Sequence, residues 1–156
     1  MIEVTEVKNI VQEYLSSKEG FFLVKAEVKG ANQITVEIDH DTEPIDIETI
    51  VELTKFIEDH LDRDKEDFEL EVSSAGLTTP LESPRRYRKF IGKDLEVLLK
   101  TGIKEKGTLV NANDSSFQLQ VIRMEKPAGE RRKKAIEHIL DIEYKDVKKA
   151  TYLIQF

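Results

Sequence analysis

Between Leu70 and Gly92 the chain changes its hydrophobic period, and no other feature of the sequence limits its fold as strongly. Before this stretch, apolar residues recur at both helical and strand spacing; after Gly92, no run longer than a turn keeps helical spacing. The stretch itself begins as a strand-like alternation, reaches Gly76, crosses Pro80 and Pro84, and becomes basic with spaced aromatics. Charge reverses at the same place. Residues 1–79 carry 20 acidic and 7 basic side chains, net −13, whereas residues 80–156 carry 17 basic and 11 acidic, net +6. The formal charge of −7 on the whole chain therefore hides a dipolar molecule.

The first half reads as two amphipathic helices and three strands. Val7, Ile10, Val11, Tyr14 and Leu15 fall on one helical face, with Thr5 and Gly20 as start and stop signals, so the spacing predicts a helix over 6–17. Phe22, Val24, Ala26 and Val28 then alternate with polar residues, Gly30 to Asn32 form a turn, and Ile34, Val36 and Ile38 alternate again as a hairpin. Asp46 is placed to cap a helix whose apolar face is Ile50, Leu53, Ile57 and Leu61. Phe68, Leu70 and Val72 make a third strand. This helix-strand-strand-helix-strand order stacks two helices on one face of a small sheet, a two-layer α/β domain over residues 1–82.

The second half reads as a small SH3-like or Sm-like β-barrel over residues 83–156, which makes the chain α+β. Strands are expected at Leu95 to Leu99, from Gly107, at Phe117 to Val121, and at Ile136 to Tyr144. Lys145 to Ala150 is expected to make one tight helical turn, and Thr151 to Phe156 the closing strand.

Bulk properties set outer limits. A chain of 156 residues accommodates one medium or two small domains and can bury roughly two-thirds of its extended-chain surface. With 39% hydrophobic and 35% charged residues it has the balance of a water-soluble globular protein. No apolar run approaches the roughly 18 to 20 residues of a membrane span, and the N-terminus lacks the pattern of a secretion signal. The absence of cysteine excludes disulfides and thiolate sites and fits a reducing cytoplasm.

Catalytic and metal chemistry find little support. Asp39, His40, Asp41 and Glu43 share one loop, but the other histidines, His60 and His138, are distant in sequence, so a solvated acidic loop explains them better than a metal site. Ser73 and Ser74 precede Gly76 without the pattern of a nucleophile elbow, and no phosphate-binding glycine loop occurs. No cofactor, metal or small-molecule substrate is expected.

Two cationic clusters remain. Arg85, Arg86, Arg88 and Lys89 surround Tyr87 and Phe90, which either stack on bases or anchor the segment to the protein. Lys126, Arg131, Arg132, Lys133 and Lys134 lie in a loop set out by Pro127 and Gly129. Both fall in the positive half, which points to an anionic partner.

Glu71-Val-Ser-Ser-Ala-Gly-Leu77, Pro80-Leu81 and Phe90-Ile-Gly-Lys93 together resemble the interdomain signature of the bacterial ribosome maturation factor RimP family. Val36-Glu-Ile-Asp39, Leu61-Asp62 and Leu140 to Ala150 fall in the same order as in that family, so the resemblance covers nearly the whole chain. It departs at Ala75, where the family usually has proline, and at Thr78-Thr79, where it has an Asp-Arg pair. The resemblance implies the same two-domain fold, with a short fourth strand after Gly76, and a cytoplasmic, monomeric assembly factor. It further implies binding to the immature small (30S) ribosomal subunit without catalysis. In this reading Arg85, Arg86, Arg88, Lys89, Arg131, Arg132, Lys133 and Lys134 face ribosomal RNA, and Ser73, Ser74, Gly76, Leu77 and Pro80 form the interdomain motif. It implies a small-subunit protein partner, ribosomal protein twelve. The alternative is a general RNA-binding or Sm-like RNA-chaperone module without ribosome specificity.

Overall fold

The computed structural model describes residues 1–154, which divide between Gly76 and Leu77 into two compact units. The first contains α1 (Val4–Leu15), β1 (Phe21–Lys29), β2 (Gln33–His40), α2 (Ile47–His60) and β3 (Glu69–Ser74). β1 and β2 pair antiparallel around a turn in which Gly30 and Asn32 take φ of 51° and 55°, and β3 joins β2 in parallel after the α2 crossover. Helical and strand periods meet in one core: Val7, Ile10, Val11 and Leu15 of α1 and Leu53 and Ile57 of α2 cluster with Ile34, Val36 and Ile38 of β2.

The ends of these helices follow from local hydrogen bonds. Asp46 caps α2 as its position predicts, accepting from the Thr49 N–H at 3.0 Å. α1 starts at Val4, ahead of the expected residue 6, because Ile2 is buried and its N–H donates to Asn32 Oδ1 at 2.9 Å, tying the N-terminus to the hairpin turn. It stops at Leu15, where the Ser16 and Ser17 hydroxyls donate back to the carbonyls of Glu13 and Tyr14.

The second unit contains α3 (Pro84–Lys89), β4 (Asp94–Leu99), β5 (Lys104–Ala112), β6 (Ser116–Glu125), β7 (Lys134–Glu143), a 3₁₀ turn (Tyr144–Asp146) and β8 (Val147–Tyr152). The strands form a five-stranded antiparallel, barrel-like sheet in the order β7-β6-β5-β4-β8. Its inner residues Leu95, Val97, Leu109, Phe117, Leu119, Val121 and Ala150 are all at most 2% exposed, and Tyr87 of α3 and Phe90, which caps its C-terminus, join the same core. β5 and β6 approach so closely that a β-carbon on Gly107 would stand 2.3 Å from the Gln120 carbonyl oxygen.

Three details differ from the expectations. The tight turn precedes residue 147 and the last strand begins there, because Ala150 pairs with Val97 and is fully buried in the sheet; Gln155 and Phe156 of the expected strand lie outside the described residues. No strand occurs over 75–83, where Pro80 lacks a ladder donor; instead Leu81 is buried in the second unit and its N–H donates to the Ala150 carbonyl at 2.8 Å. Residues 77–82 accordingly group with the second unit. The third detail is α3 itself, a basic, aromatic-spaced segment to which the sequence reading assigns no secondary structure.

Candidate nucleic-acid interface

α3 is built from a cap, a proline and two aromatics. The Ser83 side chain accepts from the Arg86 N–H at 3.3 Å, and Pro84 occupies the first turn, where a missing N–H costs nothing. Tyr87 and Phe90, three positions apart, fall on one face and enter the core. Tyr87 stacks on Phe117 with ring centroids 4.8 Å apart and meets Tyr144 at 4.9 Å, while Phe90 meets Tyr152 at 5.4 Å. These aromatics anchor the segment and are closed to bases.

Their burial sorts the cations of this helix. Arg86 is drawn inward with Tyr87 and is 1% exposed. Its guanidinium donates to the carbonyls of Thr79 at 2.8 Å and Pro80 at 3.3 Å and lies over the Phe90 ring. The expectation that Arg86 meets RNA is therefore corrected: its donors face the protein's own backbone. Arg88 is exposed but engaged, forming an ion pair with Asp114 and donating through Nε to the Ala112 carbonyl at 3.2 Å. Arg85 is exposed and Lys89 half-buried.

The second cluster has a different footing. β6 and β7 pair without interruption from Ser116–Glu143 to Glu125–Lys134, and the loop 126–133 caps this ribbon. Gly129 takes φ of 84° and the Glu130 N–H donates to the Pro127 carbonyl, so the loop turns on its own backbone. Lys126, Arg131, Arg132 and Lys133 are exposed and form no ion pair among the described residues, whereas Lys134, the first residue of β7, pairs with Glu130 at 2.9 Å. Behind the loop, His138 and Glu125 meet at 2.7 Å.

Two further cations, Lys148 and Lys149 on β8, are exposed without an ion pair among the described residues. They were hidden from sequence reading by the misplaced turn. Near the end of α3, the Tyr144 hydroxyl donates to the Asn113 carbonyl at 2.7 Å, and burial raises its pKa, so it remains a proton donor.

The interdomain residues are divided by the structure. Ser73 and Ser74 end β3, with the Ala75 N–H continuing the ladder to the Ile38 carbonyl at 2.9 Å; Gly76 and Leu77 are exposed; Pro80 contributes its carbonyl to Arg86. Asp39 and His40, expected in the acidic loop, instead end β2, paired with Phe22 and Phe21, and His40 Nδ1 accepts from the N–H groups of Thr42 and Glu43, which commits that nitrogen to shaping the loop that follows. No group of three or more potential metal ligands occurs among the described residues, and no helix there is long and apolar enough to cross a membrane.

Comparison with known proteins adds what this geometry alone does not. A family model described as the RimP N-terminal domain matches residues 10–78. The chain is similar to the ribosome maturation factor RimP of Porphyromonas gingivalis strain ATCC 33277, with 41% identity over 154 residues that cover 99% of this chain and 100% of that protein. It is also similar to the proteins of the same name from Christiangramia forsetii, at 31% identity, and Flavobacterium psychrophilum, at 27%, each over 97% of both chains.

Proposed function

Because the chain belongs to the RimP family of ribosome maturation factors, we propose that it acts in the cytoplasm on the immature small ribosomal subunit, by binding and without catalysis. The observation that carries the mode of binding is the cationic cap of the β6–β7 ribbon. Arg131, Arg132 and Lys133 stand there exposed and without an ion pair among the described residues, and a folded, regular ribbon holds the turn that carries them. A phosphate backbone rewards this arrangement, because each phosphate contact releases condensed counterions and demands no fixed base pattern. Arg85, Arg88 and Lys89 add to the positive potential of the same unit, while Arg86 contributes through the fold. The protein partner implied by the family resemblance is small-subunit protein twelve, and the factor works as a monomer.

The test is cosedimentation with purified small subunits, large subunits and bulk RNA across a salt series. Preference for small subunits is the expected result. Equal retention on all three would establish a general RNA binder instead. Changing Arg131, Arg132, Lys133 and Lys134 together to glutamine should weaken small-subunit binding and lower the slope of log affinity against log salt by about 3, at roughly 0.7 to 0.9 per contact. An unchanged slope would remove the loop from the interface.

A further inference from the structure

Among the described residues the two sheets have four edge strands, and three of them are protected in ways that natural sheets use against unwanted pairing. β1 is interrupted by a register shift between Leu23 and Lys25, β3 is only six residues long, and β8 is six residues long with a shift opposite Leu98 and Leu99. β7 has none of these devices. It is ten residues long, contains neither proline nor glycine, pairs with β6 in one unbroken register, and has no strand on its other side among the described residues. A regular edge of this length exposes a row of backbone donors and acceptors that another extended chain can complete.

The side chains beside that row say which chain. Phe117, Leu119 and Val121 of β6 face the core, so the β7 residues opposite them, Ile142, Leu140 and His138, share the inner row. The outer row is Glu137, Ile139, Asp141 and Glu143, all exposed. Glu137 has no ion-pair partner among the described residues, Asp141 accepts only from the neutral Gln118 amide at 2.7 Å, and Glu143 is held by Lys145. Ile139 is 58% exposed and continues outward into Ile122 and Met124 of β6, at 66% and 62%. Directly opposed pairs stabilise a sheet when charges are opposite or when both residues are apolar.

We propose that the free edge of β7 binds an extended cationic polypeptide segment as an added strand, with Lys or Arg opposite Glu137 and Asp141 and an apolar residue opposite Ile139. The segment lies along residues 137–143 of β7, clear of the first residues of the strand, where the cationic loop would repel it. This surface is separate from the RNA contact proposed above and takes a protein partner.

The experiment uses the full ¹⁵N-labelled chain and a synthetic peptide with lysine, valine and lysine at alternate positions and threonine between them. Saturable shifts confined to β7 and the outer face of β6, with slowed hydrogen exchange at β7 amides, are expected. The same peptide N-methylated on its backbone should not bind, since it cannot complete the ladder. Glu137→Lys combined with Asp141→Lys should weaken the lysine peptide about tenfold or more, and a glutamate-valine-glutamate peptide should recover that loss. Unchanged β7 exchange in wild-type protein, equal binding of the N-methylated peptide, or indifference to charge reversal would each overturn the proposal. So would β7 shifts caused by a short RNA and not by the peptide. None of these arms measures subunit binding, so the proposal and the RNA reading fail separately.

Discussion

The segments 85–89 and 131–134 look alike as sequence, each a short run of arginine and lysine, yet the protein uses them in opposite ways. In the first, Tyr87 and Phe90 impose a helix and carry Arg86 into the core, where its guanidinium fixes the chain that leads into the second unit. In the second, no aromatic interrupts the cations, the neighbours are Pro127 and Gly129, and the charge stays outside. Cationic residues acquire their role from the apolar residues spaced among them. A basic run without an aromatic anchor is free to serve a partner; one with an anchor is partly spent on the fold.

The comparison breaks most easily at Arg86. Arg86→Ala removes a charged donor from two carbonyls, leaves a cavity beside Phe90, and should cost the second unit about 3 kcal/mol. Thermal or urea unfolding followed by near-ultraviolet signals from Tyr87 and Tyr144 would read this. A melting temperature within experimental error of wild type would mean that the buried guanidinium is incidental, and the two clusters would no longer differ in kind.

The next effect concerns the segment that Arg86 holds. Residues 77–156 expressed alone should fold cooperatively with a strand-rich far-ultraviolet spectrum. Residues 83–156 should be weaker by about 2 kcal/mol, because they lack the buried Leu81 side chain, its bond to the Ala150 carbonyl, and the carbonyls that receive Arg86. Equal stability of the two fragments would show that the connecting segment is not part of the second unit's core.

Much of this fold is legible in the sequence. Strict periodicity over Val7 to Leu15 and Ile50 to Ile57, and alternation through Ile34, Val36 and Ile38, specify elements whose apolar faces must meet. Boundaries are harder because single long-range contacts decide them. Asn32 fixes where α1 begins, and the pairing of Ala150 with Val97 draws β8 forward from its expected start. α3 was hidden because a six-residue helix is too short to display a period, although Ser83 followed by Pro84, with aromatics three apart, was the available signal. The edge of β7 was not legible at all, since strand order and the absence of a neighbour are properties of topology rather than of local pattern.

Arg88 lies between the extremes and sharpens the contrast. Its Nε bond to the Ala112 carbonyl belongs to the fold, but its ion pair with Asp114 is at the surface, where such pairs contribute little. Arg88→Ala should therefore cost about 1 kcal/mol. Asp114→Ala should cost less than half of that, since it leaves the carbonyl bond in place. If both variants destabilise equally, the ion pair matters as much as the backbone bond, and exposure ceases to be a guide to role in this helix.

The smallest expected effect is at the other cluster. Neutralising Arg131, Arg132, Lys133 and Lys134 together removes four positive charges but, among the described residues, only one ion pair, Lys134 with Glu130, and that pair is exposed on both sides. Mutual repulsion among neighbouring cations is relieved at the same time, so the two changes oppose each other. The turn is kept by Gly129 and the Glu130 to Pro127 bond, and the ribbon by its β6–β7 ladder, neither of which uses these side chains. Stability should consequently move by no more than about 0.5 kcal/mol, measured by urea unfolding at low salt, where charge effects are largest. A loss above about 1 kcal/mol would place this loop with α3 as part of the folded scaffold. The distinction between a cation held for the fold and one held for a partner would then have to rest on binding data alone.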